Sequence, residues 1–204
     1  MIIGVDESGL GAWAGPYTVA AVATRHREAA VLCASGVTDS KNLSDKARRA
    51  MMDLITDTVL CACVEVVEVP VITELGYANS WSTAVRQAIL HVLKHTTLKK
   101  GEDVDVIIDG NKTGGVEQHV GHLCSVWSLP RADAAVPAVG AASILAKTVR
   151  NDTMIALSLK FPEYGWEKNA GYGVPQHIKA LEQWGSCPQH RAIKPILGFR
   201  RRSM

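Results

Sequence analysis

The N-terminal stretch of this 204-residue chain constrains its fold more than any other segment. Residues 2–5 form a short apolar run, typical of a strand buried on both faces, and the run stops at Asp6 and Glu7. Burying an unpaired carboxylate is costly, so these acids either meet solvent in a turn or are neutralised by a cation. Taken alone, the stretch fits both an ordinary acidic turn and a metal–carboxylate site.

The composition is that of an ordinary globular protein. Hydrophobic residues make up 47% of the chain and charged residues 21%, which excludes disordered and fibrous classes. No apolar run approaches the roughly 18 residues of a membrane span, and the N-terminus lacks the pattern of a signal peptide. We therefore predict a cytoplasmic protein with no membrane partner. The net charge of +2 does not identify a partner, and the five cysteines, which form no CxxC pair, are predicted to be reduced core residues.

Strand and helix patterns alternate along the chain, which predicts an α/β fold. Residues 17–23 are typical of a second strand, antiparallel to the first, and Ser44 is the predicted N-cap of an amphipathic helix. The stretch 25–37 is predicted to be a loop with at most a short helix. Further strands are predicted at 61–69, 104–108 and 123–129, and further helices at 79–95, about 137–160 and 175–185.

Four carboxylates stand out because each lies at the end of a predicted element: Asp6, Glu7, Asp109 and Asp133. If the strands that carry Asp6 and Asp109 are neighbours, their ends converge. Carboxylates without histidine or cysteine among them are hard oxygen ligands, which suit Mg²⁺ or Mn²⁺ better than Zn²⁺. Two such ions would suit the hydrolysis of a phosphodiester.

Residues able to hold phosphates accompany these acids in the sequence. The predicted phosphate-binding set is Ser40, Lys41, Asn111, Ser143, Lys147 and Arg150. The last three are spaced by four and three residues, so they are expected to share one face of the long helix. For each cation alone, a solvated surface charge is the alternative.

A series of short motifs carries a resemblance to a known family. They are Asp6 to Gly11 with Gly15-Pro16, Asp39-Ser40-Lys41 with Leu43, Asp109-Gly110-Asn111, Asp133 with the run 141–147, and Tyr164-Gly165 with Gly171-Tyr172-Gly173 and His190-Arg191. In this order and spacing the chain resembles ribonuclease H type 2, the bacterial ribonuclease HII, over essentially its whole length.

The resemblance implies a ribonuclease H-like fold, with a mixed central sheet flanked by helices and a helical C-terminal extension. On that basis residues 1–204 form a single catalytic domain, with a core of about 1–160 and an extension of about 161–204. It implies an endonuclease, a monomer, that acts on RNA–DNA hybrids and on duplex DNA containing ribonucleotides. Cleavage on the 5′ side of a ribonucleotide, with two Mg²⁺ or Mn²⁺ ions, would leave 3′-hydroxyl and 5′-phosphate ends.

The resemblance also assigns residue roles. The metal ligands would be Asp6, Glu7, Asp109 and Asp133. The backbone of the turn Gly9, Leu10 and Gly11 would read the 2′-hydroxyl, and Tyr172 would pack on the sugar of the next nucleotide. The 2′-hydroxyl is the group by which a protein distinguishes RNA from DNA at one position, so these roles are chemically coherent.

The chain departs from the family pattern at several positions. Leu10 stands where the family usually has arginine, Asn151 where it has aspartate, and Asn169-Ala170 where it has a basic pair. These departures predict weaker affinity for nucleic acid, partly offset by the arginine-rich C-terminal tail.

Three other functions compete with this interpretation. One is a type 3 ribonuclease H, which acts poorly at a single ribonucleotide. That branch usually carries glutamate at the fourth metal position, where this chain has Asp133. The second is a hybrid-binding protein of weak or no activity, which would be expected to lack one of the four carboxylates. The third is a phosphatase of small molecules, which would not need the turn from Gly9 to Gly11.

Overall fold

A five-stranded mixed sheet lies between two layers of helices in the computed structural model, which describes residues 1–37 and 43–201. The strands are β1 (Ile2–Ser8), β2 (Tyr17–Thr24), β3 (Cys61–Val67), β4 (Asp105–Asp109) and β5 (Ser125–Leu129). Their order is β3-β2-β1-β4-β5, with β1 antiparallel to β2 and parallel to β4. The α/β class and the mixed sheet predicted from the sequence are therefore confirmed.

Helices alternate with the strands along the chain up to β5, and only helices come after it within the described residues. They are α1 (His26–Ala34), α2 (Asp45–Thr58), α3 (Val69–His95), α4 (Glu117–Val120), α5 (Ala132–Ala135), α6 (Pro137–Lys160), α7 (Trp166–Asn169), α8 (Pro175–Trp184) and α9 (Lys194–Leu197). The side chain of Ser44 accepts a hydrogen bond from the amide of Ala47 at 3.2 Å and caps α2, as its sequence predicts. Pro137 and Pro175 open α6 and α8 as expected.

The central strand β1 sends alternate side chains to opposite helical layers. Ile3 and Val5 belong to a core cluster that includes residues of α3. Gly4 faces the other way, where an added Cβ would collide with the backbone of Ala138 and Val139. The missing side chain at Gly4 therefore lets α6 approach the sheet closely, which brings this helix against the strand that carries Asp6.

The region from β3 to α3 differs from its prediction. The strand ends at Val67 rather than at residue 69, and α3 begins at Val69 rather than at residue 79. Pro70 lies in the first turn of the helix, where a missing N–H costs nothing, so it starts α3 instead of terminating β3. Gly76 has φ 73° and ψ 166°, which divides α3 into two helical segments.

The cysteine prediction holds only in part. Cys124 and Cys187 are buried, Cys61 and Cys63 are half-buried, and Cys33 is exposed on α1. All five are free thiols. Cys33 lies on the solvent side because α1 turns its Leu32 towards the core.

The C-terminal part of the chain forms its own apolar cluster around Tyr164 and Trp166. Ala14 and Met154 join this cluster, so it also contacts the β1–β2 connection and α6. A helical C-terminal region is present, and its division from the core near residue 160 stays a prediction. Within the described ranges, no helix is both long enough and apolar enough to cross a membrane.

Candidate active site

Three aspartates from distant parts of the sequence converge at one edge of the sheet. Asp6 is on β1, Asp109 ends the neighbouring parallel strand β4, and Asp133 lies in α5 just before α6. One carboxylate oxygen from each lies within 4.8 Å of the others. The expected convergence of Asp6 and Asp109 follows from the parallel pairing of β1 with β4, in which Val5 pairs with Ile108.

The surroundings of Asp6 disfavour the ionised form of its carboxyl group. Its side chain is 6% exposed, and burial is the main reason why the pKa of Asp6 rises to about 7, with the charges of Glu7 and Asp109 adding to the rise. Hydrogen bonds from the Ser143 side chain and from the Glu7 amide, at 2.7 Å, oppose this rise without cancelling it. The protein thus holds a carboxylate in surroundings that favour either its protonation or a nearby cation.

Asp109 and Asp133 are joined through the backbone of the β5–α5 connection. The amide of Ala132 donates to Asp109 Oδ1 at 2.7 Å. Arg131, the residue before it, is in the left-handed region with φ 57°. A side chain other than glycine costs about 1 kcal/mol or more in that region, so the connection keeps a strained residue beside two of the three acids.

Glu7 lies outside the group of three mutually close aspartates. It follows Asp6 directly, so the two side chains leave β1 on opposite faces. On the α3 side, Glu7 Oε2 accepts a hydrogen bond from Trp81 Nε1 at 3.3 Å. The four predicted metal ligands therefore divide into a close triad and a fourth carboxylate on the other face of the same strand.

The donor set fits a hard divalent cation. The triad offers only carboxylate oxygens, the ligand type that Mg²⁺ and Mn²⁺ prefer. The raised pKa of Asp6 shows that this site destabilises its own negative charge when no cation balances it. Both observations favour a divalent metal over a purely structural acidic turn.

The turn that follows β1 is held from within by a buried arginine. Arg191 has no exposed surface, and its guanidinium donates to the carbonyls of Gly9, Leu10 and Gly15, each at 2.8 Å. The Leu10 side chain packs against the core cluster on the α3 side. The apolar residue at position 10 therefore contributes packing, while its carbonyl is fixed by Arg191.

Arg150, a predicted phosphate contact, lies inside the protein. It is fully buried beneath Gly9 and donates to the carbonyls of Pro16 and Ala170 at 3.1 and 2.8 Å. Arg150 has the predicted i, i+4, i+7 spacing with Ser143 and Lys147 on α6, but the C-terminal region covers its side chain, and its contact with a phosphate stays a prediction. Gly9 itself has φ 87°, and an added Cβ would strike the Arg150 side chain.

Tyr172 lies in a turn that the Asn169 side chain holds on its N-terminal side. The amide of Gly171 donates to Asn169 Oδ1 at 2.9 Å, and Asn169 Nδ2 donates to the carbonyl of Tyr164 at 2.7 Å. The guanidinium carbon of Arg150 lies 5.4 Å from the centre of the Tyr172 ring. Tyr172 is half-buried.

The other predicted phosphate contacts have different surroundings. Ser143 is 4% exposed and its side chain hydrogen-bonds Asp6, while its contact with a phosphate stays a prediction. Lys147 is half-buried on α6, and Asn111 is exposed in the connection after β4. Ser40 and Lys41 lie outside the described residues.

Sequence reasoning missed three contributors to this site. Arg191 entered only as part of a motif, Asn169 as a departure from the family pattern, and Trp81 as a buried helix position. Spacing along the chain contains no signal for such long-range contacts, since Arg191 is 182 residues from Gly9. The only available hint for Arg191 was its place in the motif His190-Arg191.

Comparison with known proteins adds to this geometry. The family model described as Ribonuclease HII matches residues 3–195. The Ribonuclease HII of Hyphomonas neptunium is 37% identical over 198 residues, which cover 94% of this chain and 91% of that protein.

Solved structures agree in fold. The ribonuclease HII in a complex with PCNA from Archaeoglobus fulgidus is 26% identical, with a TM-score of 0.78 over 94% of this chain and 92% of that one. Bst-RNase HIII in complex with Mn²⁺ is 25% identical, with a TM-score of 0.72 over 89% of this chain and 60% of that one.

The match across almost the whole chain, together with the carboxylate triad on a ribonuclease H-like sheet, leads to one conclusion. The chain belongs to the ribonuclease HII family, and it is a metal-dependent endoribonuclease with the activity of that family on the RNA of RNA–DNA hybrids.

Proposed function

We propose that the protein nicks duplex DNA on the 5′ side of an embedded ribonucleotide, in addition to hydrolysing RNA in hybrids. Asp6, Glu7, Asp109 and Asp133 would hold two Mg²⁺ or Mn²⁺ ions, and the products would carry 3′-hydroxyl and 5′-phosphate ends. The observation that supports the metal-dependent chemistry of this proposal is the triad of aspartates within 4.8 Å, with the pKa of Asp6 raised to about 7. Removal of ribonucleotides from DNA during repair and replication is the corresponding cellular role.

The carboxylates prepare the site for the ions. When bound, divalent ions activate water, orient the scissile phosphate and stabilise the leaving oxygen. The chain supplies the rigid frame: Ser143 and the Glu7 amide hold Asp6, and the Ala132 amide holds Asp109. Such supporting hydrogen bonds orient the ligand oxygens and so increase metal affinity.

Recognition of the ribonucleotide is assigned to the turn from Gly9 to Gly11. Arg191 fixes two carbonyls of this turn, and Arg150 supports Gly9 from below. A backbone turn held in one conformation can read a hydroxyl without losing entropy on binding. Tyr172, whose ring lies near Arg150, would pack on the sugar of the next nucleotide. Lys147 and Asn111 would contact phosphates.

A hybrid-specific enzyme without activity at single ribonucleotides is the second candidate. Two observations favour it: the fold likeness to Bst-RNase HIII and the apolar Leu10 in the turn that would read the sugar. Both candidates use the same acids, so only the substrate distinguishes them.

The deciding experiment compares three substrates with Mg²⁺ or Mn²⁺. They are a DNA duplex with one ribonucleotide, the same duplex in DNA alone, and an RNA–DNA hybrid. We expect a single nick 5′ to the ribonucleotide, hydrolysis of the hybrid, and no cleavage of DNA. Cleavage of the hybrid alone would favour the second candidate, and equal cleavage of all three, or of none, would refute both.

A further inference from the structure

The second segment of α3 contacts Glu7 and also Arg191, which holds the turn after β1. Gly76 breaks the helix, and Tyr77, Ser80 and Trp81 follow in the first turn after the break. The Tyr77 hydroxyl accepts a hydrogen bond from Arg191 at 3.2 Å, and Ser80 accepts one from Tyr17 at 2.8 Å. This face of α3 is therefore hydrogen-bonded to Arg191 and to Tyr17 of β2.

Trp81 connects this helix to two functional strand ends. Its Nε1–H donates to Glu7 Oε2 at 3.3 Å, at the end of β1. Its ring lies against Gly114, which follows Asp109 and Asn111 in the connection after β4. Gly114 has φ 65°, and an added Cβ there would collide with the indole. The indole is thus enclosed between the fourth carboxylate and the loop that begins at β4.

We propose that Trp81 is a positioning residue for Glu7, which fixes the orientation of the carboxylate that Glu7 would offer to a metal ion. The inference rests on the proposed role of Glu7 as a metal ligand. Glu7 leaves β1 on the face opposite Asp6, so its direction is not set by the triad. A donor on Oε2 restricts the rotation of the carboxylate. Ligating carboxylates are commonly held in this way by an outer hydrogen bond.

The indole group suits this task chemically. Its N–H is a donor only and carries no charge, so it orients a carboxylate without ligating a metal itself. A lysine or arginine at the same place would neutralise Glu7 and weaken its attraction for a cation. Trp81 therefore holds the carboxylate and leaves its negative charge available.

The test measures Mn²⁺ binding to the full chain by calorimetry, without nucleic acid, in Trp81→Phe. Phenylalanine keeps an aromatic ring against Gly114 and removes the N–H. The matched control is Trp127→Phe, because Trp127 Nε1 donates to another carboxylate, Asp105, at 3.1 Å. We expect Trp81→Phe to weaken Mn²⁺ binding on the order of ten-fold, and Trp127→Phe to leave it unchanged. In EDTA both variants should melt at similar temperatures.

A double-mutant cycle with Glu7→Gln separates positioning from a general structural role. If Trp81 acts through Glu7, Trp81→Phe should cost no additional Mn²⁺ affinity in the Glu7→Gln background. An equal loss in both backgrounds, or unchanged Mn²⁺ affinity in Trp81→Phe, would overturn the inference. If Trp81→Phe does not fold, Trp81→Met takes its place in the same cycle.

The proposed function fails in a distinguishable way. If Glu7→Gln binds Mn²⁺ as tightly as the unmodified chain, Glu7 is not a metal ligand, and the basis of the inference fails with it. If Glu7→Gln weakens Mn²⁺ binding while Trp81→Phe does not, the metal site stands and only the role of Trp81 is refuted.

Discussion

The protein contains two buried polar clusters with opposite balances of charge and hydrogen bonding. At the carboxylate triad, burial raises the pKa of Asp6 to about 7, and neighbouring acids worsen the imbalance. In the C-terminal region, His177 and His190 are also buried, yet they form a closed chain of hydrogen bonds. A buried polar group with its partners in place stabilises the fold, whereas one that needs an external cation marks a binding site.

The histidine cluster assigns each ring nitrogen a role. His177 Nδ1 donates to the carbonyl of Tyr172 at 2.9 Å, and its Nε2 accepts from Trp166 Nε1 at 3.2 Å. His190 Nδ1 accepts from the Cys187 amide at 2.9 Å, so its Nε2 carries the proton and donates to His177 Nε2 at 3.0 Å. Both rings are therefore neutral, and burial lowers both pKa values, that of His190 to about 3.

The largest expected effect comes from removing charge at the triad. Asp6→Asn should reduce turnover on the order of 10³-fold or more, because an amide is a poor ligand for a catalytic cation. In EDTA near pH 8, the same variant should be more stable by about 1–2 kcal/mol, since the buried charge is gone. Activity assays and chemical denaturation measure the two results.

The matched control for Asp6→Asn is Asp105→Asn, at the other end of β4. Asp105 is bonded to Trp127 and lies away from the triad, so both activity and stability should stay close to normal. Retained activity in Asp6→Asn would show that the triad is not the metal site. A loss of stability in that variant would show that its charge is already balanced within the protein.

The histidine cluster should respond in the opposite way. His177→Ala removes a fully buried ring and leaves Trp166 and His190 without their acceptor, at a cost of about 2–4 kcal/mol in unfolding free energy. Mn²⁺ affinity of the folded variant should be unchanged. His91→Ala, on the exposed side of α3, is the control and should change stability by less than about 0.5 kcal/mol.

The stability of the folded protein should depend on pH in opposite ways at the histidine cluster and at the carboxylate triad, and this effect is smaller. Unfolded His190 titrates near 6.5 and folded His190 near 3, so the folded protein loses stability as pH falls from about 6.5 to about 3. Unfolded Asp6 titrates near 3.8 and folded Asp6 near 7, so without metal the folded protein also loses stability as pH rises from about 4 to about 7. Each trend is expected to amount to about 1–3 kcal/mol.

Metal and substitution separate these two pH trends. Saturating Mg²⁺ keeps Asp6 ionised and balanced, so it should remove the loss of stability between pH 4 and 7 and leave the acid limb intact. Asp6→Asn should do the same without metal. Melting temperatures measured across pH 3–8, in EDTA and in Mg²⁺, provide the check. An identical pH profile in both conditions would contradict the assignment of Asp6.

Much of the fold was predictable because local patterns and global packing agree. The cap at Ser44, the prolines at the starts of α6 and α8, and the apolar runs of β1 and β4 each have one favourable interpretation. The predicted start of α3 was wrong because Pro70 allows two interpretations. A proline can mark the end of a strand, and it can also lie in the first turn of a helix, as it does here.

The sequence by itself indicated which aspartates come together, since Asp6 and Asp109 follow apolar runs and Asp133 precedes a long helix. It did not determine which polar residues face solvent. Arg150 is buried because the C-terminal region covers it, and Arg191, within that region, is buried because it packs against the turn after β1. The N-terminal stretch shows the same difference. The sequence alone identifies its two acids, whereas only the tertiary structure shows that Asp6 contacts α6 through Ser143 and that Glu7 contacts Trp81.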